Sequence, residues 1–457
     1  MVLLFCLKYY NLMMFKREEL IKASGAESLK DECAESVESS ISTDTRTIKK
    51  GDIYLPLKGE TFDGENFIEN ALESGAIGYF TSQNRIYENA KLILGVKDTL
   101  KAYLNIAKYY RKKINPITVA ITGSSGKTTT KEMVYSVLSQ KFKTQKTFSN
   151  HNNEIGFCQT VLGMEPDTQA LIVEMGMRGF GEIELISTHL EPDYAIITNS
   201  GSAHVGRLGS LDNIAKAKCE IALGLNKKGA LIALDQEIIK KHLKYEGEKI
   251  YYSLKDVTII EKLPSYTKFE YKGSIYELNV EGDYNIENSL SAIELGLKIG
   301  LTTEQIKAGL LSYHPIEKRW EVENINGIKI INDSYNANPD SMKASVKTFV
   351  ELYTNPVVIL GNMGELGENE ALYHKQVGEY LSTINNKAKY LVVGNLAKEI
   401  GKELEKAGLQ VEFFNDNKEV SEYILSNINS EETLFLKASR SMKFEQIIDY
   451  IRKGTDK

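Results

Sequence analysis

Residues 117–130 read ITVAITGSSGKTTT: two glycines, a lysine and a run of hydroxyls between an apolar stretch and a helical pattern. Bound phosphate needs backbone N–H donors at a helix N-terminus, a close approach that glycine permits, and a cation. Gly123, Gly126 and Lys127 supply these, and Thr128 offers a hydroxyl to Mg²⁺. Met133, Val134, Val137 and Leu138 recur on one stripe of the following helix, so Gly126-Lys127-Thr128 opens it. The commoner spacing G-x-x-x-x-G-K-[ST] puts glycine where this chain has Ile121; the loop is a shortened T-G-x-x-G-K-T form. A glycine–serine turn with a solvated lysine is the structural alternative. The chemistry expected is nucleoside triphosphate binding.

Glu174 follows the apolar run ALIV, at the strand end where open α/β sheets place ligands, and a carboxylate there can hold a phosphate-bridging Mg²⁺. His204 follows YAIITNS in the same way, within Gly-Ser-Ala-His. Taken singly, each could equally be structural. Lys218 lies in a helix expected from Leu211 to Leu223, capped by Ser210 and stopped by Gly224. The apolar stripe of that helix is Leu211, Ile214, Ile221 and Ala222, and Lys218 stands inside it while Lys216 and Glu220 point away. Such a lysine can snorkel. Alternatively, desolvation lowers its pKa and leaves a neutral amine able to take up CO₂ as a metal-ligating carbamate.

These residues need a large scaffold to position them. The chain has 457 residues, about three domains at roughly 100–200 residues each. Lys and Arg total 56 against 62 Asp and Glu, a net charge of −6, so nucleic acid is not an expected partner. Apolar residues at 42%, charged at 26% and only 8 prolines exclude disordered, collagenous and coiled-coil classes. Cys6, Cys33, Cys158 and Cys219 form no C-x-x-C, which argues against a disulfide framework or zinc site and for a reducing compartment. The opening run MVLLFCLKYYNLMM holds Lys8, lacks a basic leader and a cleavage site, and is too short to span a bilayer. Translation from Met13 or Met14, with an amphipathic helix from Phe15 to Ala23, is the preferred reading. With no apolar window of about 20 residues elsewhere, membrane insertion is not expected and the location expected is cytoplasmic.

Residues 40–110 mix short strand-like runs (DIYLPL, IGYF, KLILGV) with turns at Lys58-Gly59 and Asp63-Gly64, and end in a helix, TLKAYLNIAKYYRKK, running toward Pro116. From Ile117, the runs ITVAIT, ALIVEMG, YAIITN and GALIALD alternate with helical patterns, which predicts a mainly parallel α/β sheet covered on both faces. KIYYSL and TKFEYKGSIYELNV alternate and predict an antiparallel excursion. After Pro315, GIKIIND, NPVVILGN, KYLVVGN, VEFFND and TLFLKAS predict a second α/β unit. The domains expected are 1–112, 113–315 and 316–457.

TGSSGKTT, the EMG at 174–176, NSGSAH with AKCEI, the Asn-x-x-Asn of DYNIENSLSA, KRWE and NDSYNANPDSM stand in an order that resembles the Mur ligases, from about Ser39 to Glu445. NHNNEIG, SYNANPDSM, LGNMGELGE and LKASRSM are similar to the branch of that family that adds a D-alanyl-D-alanine dipeptide, and the D-N-P-R signature of the diaminopimelate-adding branch is not found. TDTRTIKKGDIYLPLKGETFDGENF resembles the UDP-binding domain of both branches. The family's D-G-H reads Asp63-Gly64-Glu65 here, and its L-G-D-M reads Leu360-Gly361-Asn362-Met363.

The resemblance implies a small α/β N-terminal domain, a central P-loop ATPase domain and a C-terminal Rossmann-like domain. It implies ATP-driven amide formation through an acyl phosphate, with UDP-N-acetylmuramoyl-tripeptide and D-Ala-D-Ala as substrates in peptidoglycan synthesis. Gly123, Ser124, Ser125, Gly126, Lys127, Thr128 and Thr129 would meet the phosphates. Mg²⁺ would be shared among Thr128, Glu174, His204 and carbamylated Lys218. Asn288 would read adenine, with Arg319 and Asp333 on ribose and phosphates. Thr45 and Arg46 would meet the uridine diphosphate, Asn150 and Asn153 the muramoyl-peptide. Asn336, Lys437 and Arg440 are candidates for the dipeptide and for closure about 313–319, against the alternative that Lys437 and Arg440 are a solvated strand end. A monomer is expected. The rivals are another Mur-type ligase (diaminopimelate- or lysine-adding), a folylpolyglutamate synthase and, more remotely, a P-loop nucleotide switch without ligase activity.

Overall fold

The structure, a computed structural model, describes residues 15–33, 38–316, 318–384 and 387–453. Cys6 and the start expected at Met13 or Met14 lie outside them. The helix expected from Phe15 begins instead at Arg17, spanning Arg17–Ser24, because Phe15 and Lys16 pair as a short antiparallel strand with Ser39 and Glu38. That strand buries Phe15, its ring 5.8 Å from the ring of Tyr110.

Two compact units are present: residues up to Val119 with Phe142–Val173 and Leu185–Pro192, and Ala120–Lys141 with Glu174–Glu184 and the chain from Asp193 onward. Among the described residues, the first unit holds a five-stranded sheet of β1 (Glu27–Asp31), β2 (Ile41–Ser42), β3 (Ile53–Tyr54), β4 (Gly78–Thr81) and β5 (Leu92–Gly95), in the order β1-β5-β4-β3-β2. β1 is antiparallel to β5 and the other pairs are parallel. Tyr54, Ile68, Tyr79 and Ile93 share its core. Helix α1 (Thr99–Ile114) starts where the Asp98 carboxylate accepts the Lys101 N–H at 2.9 Å, and stops at Asn115 in the left-handed conformation ahead of Pro116.

A six-stranded sheet follows, of β6 (Ile117–Thr122), β7 (Thr144–Lys146), β8 (Ala170–Glu174), β9 (Tyr194–Ile197), β10 (Ala230–Leu234) and β11 (Glu248–Tyr252), ordered β11-β10-β9-β6-β8-β7. β8 and β10 are buried at every residue, which is why they read as unbroken apolar runs. Helices α2 (Lys127–Leu138), α3 (Glu154–Leu162) and α4 (Leu211–Cys219) follow β6, β7 and β9. The KIYYSL run corrects the expectation: β11 pairs parallel with β10, Ala230 opposite Glu248 through Leu234 opposite Tyr252. It is an edge strand whose side chains pass from exposed at Glu248 to buried at Tyr252, so its mix of polar and apolar residues reflects its place at the sheet edge and not an antiparallel partner.

The antiparallel excursion begins later, as β12 (Val257–Leu263), β13 (Tyr266–Tyr271) and β14 (Ser274–Leu278). Helix α5 (Asp283–Ile299) then leads on toward a second six-stranded sheet. Its strands are β15 (Glu321–Ile325), β16 (Ile328–Asn332), β17 (Pro356–Gly361), β18 (Lys389–Val393), β19 (Gln410–Phe414) and β20 (Thr433–Lys437), ordered β15-β16-β20-β17-β18-β19. All pairs are parallel except the hairpin β15–β16, turned at Asn326-Gly327 with both residues at positive φ. Helix α6 (Pro339–Leu352) is entered through an Asn338 cap with proline in its first turn. Among the described residues no helix is long and apolar enough to cross a membrane.

Candidate active site

The phosphate loop lies between β6 and α2. β6 stays extended through Ile121, a fully buried core residue, so the turn comes later than in the longer loop form. Gly126 caps α2 at φ +76°, and a Cβ there would stand 2.4 Å from Asn288 Oδ1; a Cβ on Gly123 would stand 1.8 Å from Thr198 Oγ1. Both glycines are thus demanded by close approach.

Two residues that sequence reasoning gave no role hold this loop. Asn199 Oδ1 accepts the Ser124 and Ser125 N–H groups at 3.1 and 3.0 Å, and Thr198 Oγ1 donates to the Ser125 carbonyl at 2.6 Å. Ser124 Oγ donates to the Gly201 carbonyl at 3.1 Å and accepts from the Gly201 N–H at 2.9 Å. The only signal for these was the polar tail of the YAIITNS run.

Lys127 Nζ donates to the Gly123 carbonyl at 2.8 Å. Removal of this amine from water lowers its pKa, nearby Glu174 and Glu365 oppose that, and Arg319 reinforces it. Thr128 Oγ1 donates to Glu174 Oε2 at 2.9 Å, and the buried Lys131 amine stands 3.5 Å from the same oxygen. Thr129 and Thr130 continue the first turn of α2, where Thr130 Oγ1 donates to Asn288 Oδ1 at 3.3 Å.

Lys218 is 1% exposed. Its burial pushes the amine pKa well below the ordinary lysine range, and the charge of Lys127 pushes it further. The stripe that placed it needs one correction, since Leu211 is 47% exposed at the mouth of α4. The α-helix also ends at Cys219, the last turn to Gly224 tightening to a 3₁₀ form over Glu220–Leu223.

His204 caps a one-turn helix, Val205–Leu208, at φ +66°. Its Nδ1 lies 2.6 Å from Glu365 Oε2, on the loop after β17. The Gly206 N–H donates to the Glu365 carbonyl at 3.1 Å, and Asp340 Oδ2 accepts the Ser202 N–H and hydroxyl, each at 2.8 Å.

Arg319 stacks on Tyr335, its guanidinium carbon 3.9 Å from the ring centre, and its buried Nε has no hydrogen-bond partner among the described residues. Lys437, at the end of β20, is buried rather than solvated; its amine donates to Asp333 Oδ2 at 2.6 Å and to the Asn336 carbonyl at 3.4 Å. Arg440 is exposed, 3.4 Å from Glu445.

Residues 39–111 match the Mur ligase family catalytic domain, 121–296 the Mur ligase middle domain, and 318–440 the Mur ligase glutamate ligase domain. A UDP-N-acetylmuramoyl-tripeptide--D-alanyl-D-alanine ligase of Bacillus subtilis (strain 168) is 36% identical over 425 residues, 89% of this chain and 92% of the relative. This chain belongs to the Mur ligase family. This Mur ligase is also 32% identical over 424 residues to a ligase of the same name from Synechocystis sp. (strain ATCC 27184 / PCC 6803 / Kazusa), 90% of this chain and 91% of the relative. A crystal structure of MurF from Acinetobacter baumannii aligns at TM-score 0.87 and 28% identity, covering 97% of this chain and 99% of that one. The family and the three-part α/β architecture expected from the motifs both hold.

In the first unit of this Mur ligase, Thr45 and Arg46 sit on a 3₁₀ turn, Thr45–Thr47, with Arg46 exposed and paired to Asp44 at 2.6 Å. Asn150 is exposed, whereas Asn153 caps α3 by accepting the Gly156 N–H at 2.9 Å. Glu65, where the family has histidine, is buried and accepts from Thr81 Oγ1 at 2.9 Å and Ser82 Oγ at 2.7 Å, closing the loop after β4. Asn362 Oδ1 accepts the Ala397 N–H at 2.9 Å.

The donor chemistry of this Mur ligase fits a divalent cation of the Mg²⁺ type. Thr128 Oγ1 and Glu174 Oε2 bring two hard oxygens together beside the phosphate loop. Mg²⁺ sites commonly use one or two protein oxygens and complete the shell with water and substrate phosphates.

Proposed function

We propose that this Mur ligase joins D-alanyl-D-alanine to UDP-N-acetylmuramoyl-tripeptide, with ATP converted to ADP and phosphate, making a peptidoglycan pentapeptide precursor. The observation that carries the reading is the 36% identity across 92% of a relative bearing that name. Domains 1–112, 113–315 and 316–457 would take the UDP substrate, ATP and the dipeptide, in a cytoplasmic monomer. The loop from Gly123 to Thr128, where Lys127 donates to the Gly123 carbonyl at 2.8 Å and Thr128 to Glu174 at 2.9 Å, supports it.

The tripeptide carboxylate attacks the γ-phosphorus and ADP leaves. The dipeptide amine then adds to the acyl carbon, loses a proton, and expels phosphate. Two anions must meet in the first step, so cations have to cancel their repulsion. Lys127 would lie along the phosphates with the backbone of Gly123 to Thr129, and the Arg319 guanidinium, stacked on Tyr335, would bring its unpartnered Nε to the same anion. Thr128 and Glu174 would hold Mg²⁺, which would supply positive charge against the phosphate oxygens. Lys218, as a neutral amine, would add CO₂ and release a proton, and the resulting carbamate would be available with His204 to hold a second Mg²⁺. Asn288 reads adenine and Asp333 the ribose. Asn336, Lys437 and Arg440 receive the dipeptide, Thr45 and Arg46 the uridine diphosphate, Asn150 and Asn153 the muramoyl-peptide. Closure turns about 313–319, where Lys318 and Trp320 flank Arg319 at positive φ.

Mass spectrometry of the products from UDP-muramoyl-tripeptide, ATP and D-Ala-D-Ala tests the reading. A product heavier by one dipeptide is expected. Its absence, or faster phosphate release with D-Ala, L-Lys or glutamate as acceptor, would overturn it.

A further inference from the structure

β9 runs out into Thr198-Asn199, and both side chains meet the phosphate loop. Sheet register brings them there, since the Thr198 N–H donates to the carbonyl of Thr122, one residue before Gly123, at 2.9 Å. Asn199 then uses both ends of its side-chain amide. Oδ1 accepts the Ser124 and Ser125 N–H groups, while Nδ2 donates to Ser125 Oγ at 2.9 Å and to the Ser125 carbonyl at 3.3 Å. The reverse orientation of the amide would set N–H against N–H and carbonyl against carbonyl, so the partners fix which end is which. The Ser124 N–H is shared with the Asn199 carbonyl at 3.1 Å, and Thr198 Oγ1 donates to the Ser125 carbonyl as well.

The donors of the loop are thereby divided. Ser124 and Ser125 have their N–H groups engaged within the protein. The first intrahelical bond of α2 runs from the Thr130 N–H to the Gly126 carbonyl at 2.8 Å, so the N–H groups of Gly126, Lys127, Thr128 and Thr129 have no acceptor inside the helix. These stand at the positive end of the helix dipole, where an anion is favoured.

We propose that Thr198 and Asn199 are positioning residues for ATP: they hold the front half of the loop in shape, and the phosphates draw their backbone donors from Gly126 to Thr129. A loop already held this way loses less freedom when the anion arrives, so the pair raises affinity without touching the nucleotide. The inference rests on the reading of this loop as the ATP site and narrows the donors within it.

The test is calorimetric titration of the full chain with ADP and Mg²⁺, joined to the phosphorus NMR shift of the bound β-phosphate and the steady-state KM for D-Ala-D-Ala. Asn199→Ala is expected to lose on the order of tenfold in ADP affinity, the equivalent of roughly one or two net hydrogen bonds. It should also move the β-phosphorus resonance and leave the dipeptide KM near that of wild type. Thr198→Val, of the same shape, is expected to change both ADP readouts in the same direction by less, and it decides the matter should Asn199→Ala not fold. Unchanged ADP affinity and resonance, or a dipeptide KM raised as much as ADP affinity falls, would overturn the inference alone. A wild type that does not bind ADP would overturn it together with the assignment of the loop to ATP.

Discussion

Thr128 and Glu174 meet through a 2.9 Å hydrogen bond that ties the first turn of α2 to the last residue of β8. Neither residue is near the other in sequence. The contact brings oxygens from the start of a helix and the end of a neighbouring strand together in one place. Thr128→Val should keep the fold and raise the Mg²⁺ concentration giving half-maximal phosphate release. Glu174→Gln should cost on the order of 10²-fold or more in turnover, in line with losing a principal electrostatic group. Initial rates across a magnesium titration measure both, and unchanged curves would remove these residues from the site.

Lys218 is buried, and burial together with the charge of Lys127 drives its amine toward the neutral form. A neutral amine is the form that reacts with CO₂. Lys218→Ala should therefore be nearly inactive and regain part of its phosphate release with added bicarbonate or acetate, whereas Lys218→Arg should stay inactive under both. Rescue failing in the presence of intact ATP binding would leave the lysine with a purely structural role.

Glu287 on α5 has its carboxyl pushed up to about 7 by burial, with Asp283 one turn earlier adding to the effect. An acid whose folded pKa is raised keeps its proton longer in the native state than in the unfolded one. Stability then falls as pH rises from the ordinary glutamate value, about 4.3, toward 7. Glu287→Gln should flatten that fall, a difference on the order of 2 kcal/mol between pH 4 and 7. Urea denaturation of both proteins at several pH values reads it directly, and parallel curves would show that Glu287 titrates normally.

Lys437 and Asp333 form a buried pair at 2.6 Å between the ends of β20 and β16. Removing one partner of such a pair costs about 3–5 kcal/mol because the other charge is stranded. Lys437→Met should lower the denaturation midpoint markedly, and Lys437→Met with Asp333→Asn should recover much of the loss. Dipeptide KM should stay high in the double variant if Lys437 also meets the substrate. A double variant as unstable as the single one would show that packing of the lysine stem, and not its charge, is what matters.

Features written in short-range pattern were legible along the chain. The phosphate loop was legible because glycine, lysine and hydroxyls must follow one another at a helix start, and the buried strands because two covered faces leave no polar alternation. Lys218 was legible as an interruption of a 3.6-residue stripe, even though Leu211 proved exposed. Tertiary structure alone decided the rest. β11 mixes polar and apolar residues as an antiparallel strand would, yet pairs parallel, because it lies at the sheet edge and is buried only toward Tyr252. Asn199 is an ordinary polar residue after a strand until the sheet order sets it beside Ser124 and Ser125. The Glu365 carboxylate faces His204 only because two loops about 160 residues apart in sequence dock together. Hydrogen bonds and ion pairs of that kind depend on distances across packed elements, and residue types along the chain carry no record of those distances.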